Sequence, residues 1–152
     1  MSSRRGFVGW STAASVGAAA ALAIAAGPVM SDKTAGTVKD ALVHPELFGN
    51  VLSLSGAFWR GYAASNDPPY EWLAGQYAAQ PRHGVRFFMD VGALETRRAL
   101  GSGPVFIEAT RRFRDALRSK GYQVVYTEVP GGNHSPESWV RQLPAGIVAL
   151  SR

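Results

Sequence analysis

A chain of 152 residues, 46% of them apolar, is long enough to bury one core and too short for two ordinary domains. The net charge of +5 is moderate and partly carried by Arg4 and Arg5 near the N-terminus, so it is a weak basis for nucleic-acid binding. Cysteine is absent, which excludes a disulfide framework, a thiolate nucleophile and a cysteine-ligated zinc site.

No residue from Phe7 to Met30 is charged, and Ser3-Arg4-Arg5-Gly6-Phe7-Val8 leads into that run. A paired arginine, an alanine-rich apolar stretch and small residues at Ala23-Ile24-Ala25 form the pattern of a cleavable export signal of the twin-arginine type. Residues 1–25 are thereby assigned to a signal segment, and the mature chain to the periplasm or the medium; without that signal the chain is cytoplasmic. The stretch is rich in alanine and glycine rather than leucine, which makes it a poor permanent membrane anchor. The same residues also admit a strand, nucleophile elbow and helix. Gly9-Trp10-Ser11-Thr12-Ala13 has small residues two before and two after a serine, although Ala13 replaces the second glycine of the elbow.

Residues 26–40 form a linker or the start of a helix that continues through Ala41 and Leu42 to His44-Pro45, where the proline ends it. Phe48 to Gly56 is a short apolar run between turn residues, as expected of a buried strand in a parallel sheet. Ala57-Phe58-Trp59-Arg60 is its exit loop. Tyr70 to Ala79 is a short helix with Trp72, Leu73 and Tyr77 on one side. Val85 to Val91 is a second strand, running into Asp90-Val91-Gly92-Ala93-Leu94-Glu95. A carboxylate just past the carboxyl end of a strand is where an acid that orients a histidine sits, and equally where an ordinary surface carboxylate sits. After the break at Gly101-Ser102-Gly103-Pro104, Phe106, Ala109, Phe113, Ala116 and Leu117 recur at helical spacing up to Gly121. Arg111, Arg112, Arg114, Arg118 and Lys120 belong to the same helix and form a solvated basic face rather than a phosphate-tracking patch.

Tyr122 to Val129 is a third strand, and it feeds Pro130-Gly131-Gly132-Asn133-His134. The two glycines permit a tight loop with positive φ, so that an imidazole projects over the carboxyl ends of the strands. A surface histidine in an ordinary turn is the alternative. The last helix buries Trp139, Val140, Leu143, Ile147 and Leu150, with a kink at Pro144. Alternating strands and helices imply a parallel α/β sheet with right-handed crossovers.

Three of these segments, in this order, carry a resemblance. They are His44-Pro45-Glu46-Leu47-Phe48-Gly49-Asn50-Val51-Leu52-Ser53-Leu54-Ser55-Gly56-Ala57-Phe58-Trp59, then Phe87-Phe88-Met89-Asp90-Val91-Gly92-Ala93-Leu94-Glu95, and the Gly131-Gly132-Asn133-His134 loop with Trp139 beyond it. From about residue 41 to the end, the chain resembles the C-terminal half of the enterochelin esterase and feruloyl esterase group of α/β-hydrolases. The resemblance implies a partial α/β-hydrolase over residues 41–152, three-layered, with a short parallel sheet of at least three strands and flanking helices. It implies a serine carboxylic ester hydrolase in which His134 is the general base and Glu95 the acid, with Asp90 as the other candidate. Counting back one helix from His44-Pro45 places the nucleophile at Ser31, in Val29-Met30-Ser31-Asp32-Lys33, where Val29 and Lys33 stand in place of the expected glycines. Ser11 has the better local motif, Ser15 a weaker one, and the choice stays open.

The chemistry explains why such parts belong together. A serine hydroxyl is a poor nucleophile until a base takes its proton, and the base needs a carboxylate to hold its tautomer. No cofactor and no metal are called for. The partner is a small-molecule ester, anionic or aromatic, with no nucleic acid and no stable membrane span. The expected protein is therefore a shortened esterase of impaired activity. Two alternatives accompany it. One is a non-catalytic relative that binds an acylated or catecholate ligand through Trp59, the arginine-bearing helix and the His134 loop. The other is a truncated hydrolase whose exposed sheet edge at Asn50 to Ser55 promotes self-association.

Overall fold

The structure, a computed structural model, describes residues 22–26 by their backbone and residues 38–61, 66 and 68–152. The Arg4-Arg5 region, Ser11, Ser15 and Ser31 lie outside the described residues. Among the described residues, four strands form one parallel sheet in the order β1 (Leu22–Ala26), β2 (Asn50–Leu54), β3 (Arg86–Gly92) and β4 (Gln123–Val129). Helical residues 38–43 (α1) precede β2, α2 (Trp72–Ala79) lies between β2 and β3, α3 (Phe106–Ser119) between β3 and β4, and α4 (Pro136–Leu150) follows β4.

Strand side chains alternate between faces, and the apolar content of β2 and β3 is divided accordingly. Val51, Phe87 and Met89 enter a core with Val38, Ala41 and Leu42 of α1, Leu73 and Tyr77 of α2, and Phe113 and Leu117 of α3. Leu52, Leu54 and Phe88 point the other way, to Trp139 and Leu150 of α4. Both faces of the central strands are thus covered, which is why they read as continuous apolar runs, and the result is a three-layer α/β architecture. Tyr77 organises the larger core. Its ring meets Phe87, Phe113 and Tyr122 edge-on, and its hydroxyl donates to the Val38 carbonyl at 2.8 Å, which ties α2 to α1.

Two sequence expectations are corrected here. Asn50–Leu54 is not an exposed edge, because β1 pairs with it on one side and β3 on the other; among the described residues the outer strands are β1 and β4. Ala23 and Ala25, candidate cleavage positions in the sequence, are the β1 partners of Val51 and Ser53. The second correction concerns α4. Val140 and Ile147 are exposed, and the face turned to the sheet carries Trp139, Leu143, Gly146 and Leu150 instead. The spacing of that set is helical, and Gly146 sets the closeness of approach. A Cβ there would lie 2.5 Å from Leu52 Cδ1 and 3.0 Å from Phe88 Cδ1. The helix runs through Pro144, which is on its exposed side.

Arg86, at the start of β3, closes the far end of α4. Its guanidinium donates to the carbonyls of Leu150 (2.6 Å) and Arg152 (2.8 Å), and its Nε donates to Asn50 Oδ1 (3.0 Å). A cation there satisfies carbonyls that a helix C-terminus leaves without intrahelical partners and complements the helix dipole. Among the described residues no helix is long and apolar enough to cross a membrane.

The Gly146 contact yields a prediction. Gly146→Val forces three added carbon atoms against Leu52 and Phe88, and we expect a loss of about 1–3 kcal/mol. It should appear as a lower urea midpoint at unchanged denaturant slope.

Candidate active site

The carboxyl ends of β3 and β4 carry the acid and the histidine, and backbone contacts lock the two loops together. After β3 the chain turns tightly, with the Glu95 N–H donating to the Gly92 carbonyl at 3.0 Å. Ala93 then donates to the Val129 carbonyl (3.0 Å) and Leu94 to the Gly132 carbonyl (2.9 Å). The β4 loop is shaped by Gly131 at φ +67°, where an L side chain is strained, and by the Gly132 N–H bonding back to Val129 at 2.9 Å. Where the two loops cross, a Cβ on Gly92 would lie 2.4 Å from the Gly132 carbonyl oxygen. The other side of the loop is held by Ser138, which accepts from the Asn133 N–H (3.1 Å) and donates to Asn133 Oδ1 (2.9 Å).

This frame brings His134 Nδ1 to 2.7 Å from Glu95 Oε2. The imidazole is flanked by Phe106 and Trp139, with ring centroids at 5.5 and 5.2 Å. Glu95 is 5% exposed, and its other oxygen, Oε1, accepts from the Ser55 hydroxyl at 2.6 Å and from the Gly92 N–H at 2.7 Å. Burial alone would raise its pKa. The hydrogen bonds from His134, Ser55 and Gly92 together outweigh that and hold the carboxyl below its ordinary value. Glu95 is therefore an ionised acceptor. A carboxylate on Nδ1 favours the tautomer that leaves Nε2 able to take a proton.

Asp90, the other acid candidate, does a different job. It is buried, and its Oδ1 accepts the Ser55 N–H at 3.0 Å. Burial pushes its pKa up to about 7, opposed by the Ser55 hydrogen bond and assisted by the neighbouring Glu95 charge. The geometry thus places Glu95, not Asp90, on the imidazole. Ser31, the third site residue expected from the sequence, lies outside the described residues, as do Ser11 and Ser15.

An open cleft of about 490 Å³ lies over this pair, lined by Leu94, Glu95, Arg97, Arg98, Phe106 and His134 among others. Arg98 is anchored by its guanidinium to the Gly103 carbonyl at 3.2 Å. Of the expected ligand contacts, the His134 loop lines this cleft, whereas Trp59 and the α3 arginines do not. Trp59 is buried and packs edge-on against Phe106. On α3, Arg111 is bound by Glu108 and Glu128, Arg112 by Glu71 and Arg114 by Asp115, so these arginines are engaged with carboxylates of the protein itself. Among the described residues no group of three or more acidic or histidine side chains is arranged to hold a metal ion.

Fold and site together define a three-layer α/β protein with a buried carboxylate and a histidine paired at the carboxyl ends of its parallel strands. The chain belongs to the family described as "Putative esterase", whose model matches residues 35–150. Solved structures that share its fold include two esterases. The enterobactin esterase of Shigella flexneri, determined in the presence of 2,3-dihydroxy-N-benzoyl-glycine, is 23% identical with a TM-score of 0.62 over 84% of this chain. A ferulic acid esterase is 16% identical with a TM-score of 0.53 over 72% of it. The chain spans 31% of the first structure and 44% of the second. No curated protein matches at significance.

Ser55 and the cleft residues Arg97, Arg98 and Phe106 escape a sequence-level reading. Phe106 reads as core because it falls on the apolar stripe of α3. Ser55 reads as the tail of an apolar strand, and its only local signal is a hydroxyl at the carboxyl end of a buried run.

The opposite environments of Asp90 and Glu95 predict a pH dependence. A carboxyl with a raised folded pKa binds an extra proton in the native state between the unfolded value near 4 and its folded value of about 7, so its contribution to stability is lost as pH rises through that window. Asp90→Asn removes the titration and keeps an oxygen acceptor for Ser55. We expect the difference in unfolding free energy, variant minus parent, to grow in the variant's favour by about 1–3 kcal/mol between pH 5 and pH 8, by urea titration at each pH. Glu95 acts in the opposite sense, since its stabilisation is lost only as pH falls through its depressed value.

Proposed function

We propose that the protein is a serine carboxylic ester hydrolase in which His134 is the general base, Glu95 the acid that orients it, and Ser31 the nucleophile. The observation that carries this is the 2.7 Å contact between His134 Nδ1 and a buried, ionised Glu95 at the floor of an open cleft. The serine Oγ attacks the ester carbonyl as its proton passes to His134 Nε2. The tetrahedral intermediate collapses as that proton passes to the departing alcohol, and water, activated by the same imidazole, releases the acid. Glu95 stays ionised and stabilises the imidazolium throughout. Val29 and Lys33 flank Ser31 where glycines would relieve an elbow, so turnover is expected to be low.

Leu94, Leu100 and Phe106 beside Arg97 and Arg98 support an ester whose acid part is aromatic or anionic. The Arg4-Arg5 leader supports export, and N-terminal sequencing of the protein recovered from the periplasm tests it: an intact Met1 there counts against cleavage.

Labelling by a fluorophosphonate tests the mechanism, because only an activated serine reacts. We expect one labelled peptide, containing Ser31, and at least about a hundredfold slower labelling in His134→Ala. Labelling at Ser11 moves the nucleophile to the better local motif. No labelling of the folded chain, with retained binding of an aryl carboxylate, points to a non-catalytic ligand-binding relative. Neutralising both cleft arginines, Arg97→Gln with Arg98→Gln, should raise KM for a carboxylate-bearing aryl ester about tenfold and leave KM for its neutral methyl ester within about twofold, by steady-state kinetics on the pair.

A further inference from the structure

We propose that Ser55 is a positioning residue for the site: it fixes Glu95 so that one carboxylate oxygen is held inside the protein and the other is presented to His134. The proposal rests on the reading of His134 and Glu95 as base and acid. Ser55 is the first residue beyond β2, is buried, and has φ +51° without being glycine. A left-handed backbone at such a residue is unfavourable and persists only where its surroundings hold it. Here they do, since the Ser55 N–H is gripped by Asp90 through both Oδ1 (3.0 Å) and the backbone carbonyl (3.2 Å).

That conformation aims the hydroxyl at Glu95 Oε1, at 2.6 Å. A glutamate has three side-chain torsions, and an acid that must orient a base needs them frozen. Ser55 and the Gly92 N–H engage Oε1 from two directions, which leaves Oε2 for the imidazole. The Ser55 hydroxyl is not itself a nucleophile. Its proton is committed to Glu95, it is 4% exposed, and its oxygen bonds the acid rather than the base. Asp90, one step further back, holds the backbone of Ser55 and also meets the charge of Glu95.

The His134 Nδ1 proton reports this arrangement independently of turnover. In the intact chain a proton shared between imidazole and a buried carboxylate gives a low-field NMR resonance, assigned here by its loss in His134→Ala. We expect the resonance to vanish or move upfield in both Ser55→Ala and Ser55→Gly, with circular dichroism and thermal unfolding showing a folded chain. The glycine variant relieves the left-handed backbone while deleting the hydroxyl, so it separates the hydrogen bond from the strain and guards against an alanine variant that fails to fold. An unchanged resonance in the folded glycine variant overturns the role of Ser55 and leaves the His134–Glu95 pair standing. A resonance missing from the unsubstituted protein overturns the pair itself, and the proposal with it.

Discussion

Two glycine backbones in contact, Gly92 at the end of β3 and Gly132 in the loop after β4, set the separation of the acid from the histidine. The clearance at that crossing leaves no room for a Cβ on Gly92. Because Ala93 and Leu94 also bond across to Val129 and Gly132, the two loops behave as one rigid piece rather than as two loops that happen to meet. The aromatic walls at Phe106 and Trp139, and the hydrogen bonds behind Glu95, refine a geometry that the backbones have already imposed. Side chains with many torsions are thereby placed by a few rigid peptide units, which is how preorganised sites limit the entropy that would otherwise oppose them.

Much of this architecture is legible in the sequence, for identifiable reasons. The runs ending at Leu54, Gly92 and Val129 are strands buried on two faces or bounded by glycine, and their order with intervening helical periods specifies a parallel sheet. The Gly-Gly loop and the carboxylate past β3 are visible because turn chemistry is local. What is not legible depends on contacts distant in the chain. An alanine-rich strand and an alanine-rich signal share a composition, so the pairing of Leu22–Ala26 with β2, a partner far along the chain, cannot be read from the local sequence. The buried face of α4 is misjudged because Val140 and Ile147 are as apolar as Leu143 and Leu150, whereas the fit is decided by the absence of a side chain at Gly146. Ser55 is invisible because its partners, Asp90 and Glu95, are 35 and 40 residues away.

Charge tells a similar story. A surplus of arginine on one helix suggests an anion-binding face, yet each of Arg111, Arg112 and Arg114 finds a carboxylate from its own helix, from β4 or from the start of α2. Arg114 also lies over the ring of Tyr126, 4.6 Å from its centroid, so the cation reinforces the packing of α3 on the edge strand. Exposed pairs of this kind contribute little individually to stability. Their effect is on recognition, since a cation already engaged by the protein has less to offer a ligand, and the cationic character of the surface shifts toward Arg97 and Arg98 at the cleft.

The clamp formed by Arg86 gives α4 a mechanical character. The helix leaves the histidine loop at the carboxyl ends of the strands and is pinned by Arg86 at their amino ends, so it acts as a strut across the full height of the sheet. Its 15 residues, at about 1.5 Å each, match the seven residues of β3 at about 3.3 Å each, roughly 23 Å in both cases. Length has therefore become a specification. Adding or removing a single residue would turn one end of the strut by about 100° against the other, and the histidine loop and the opposite rim of the sheet could no longer both be in register.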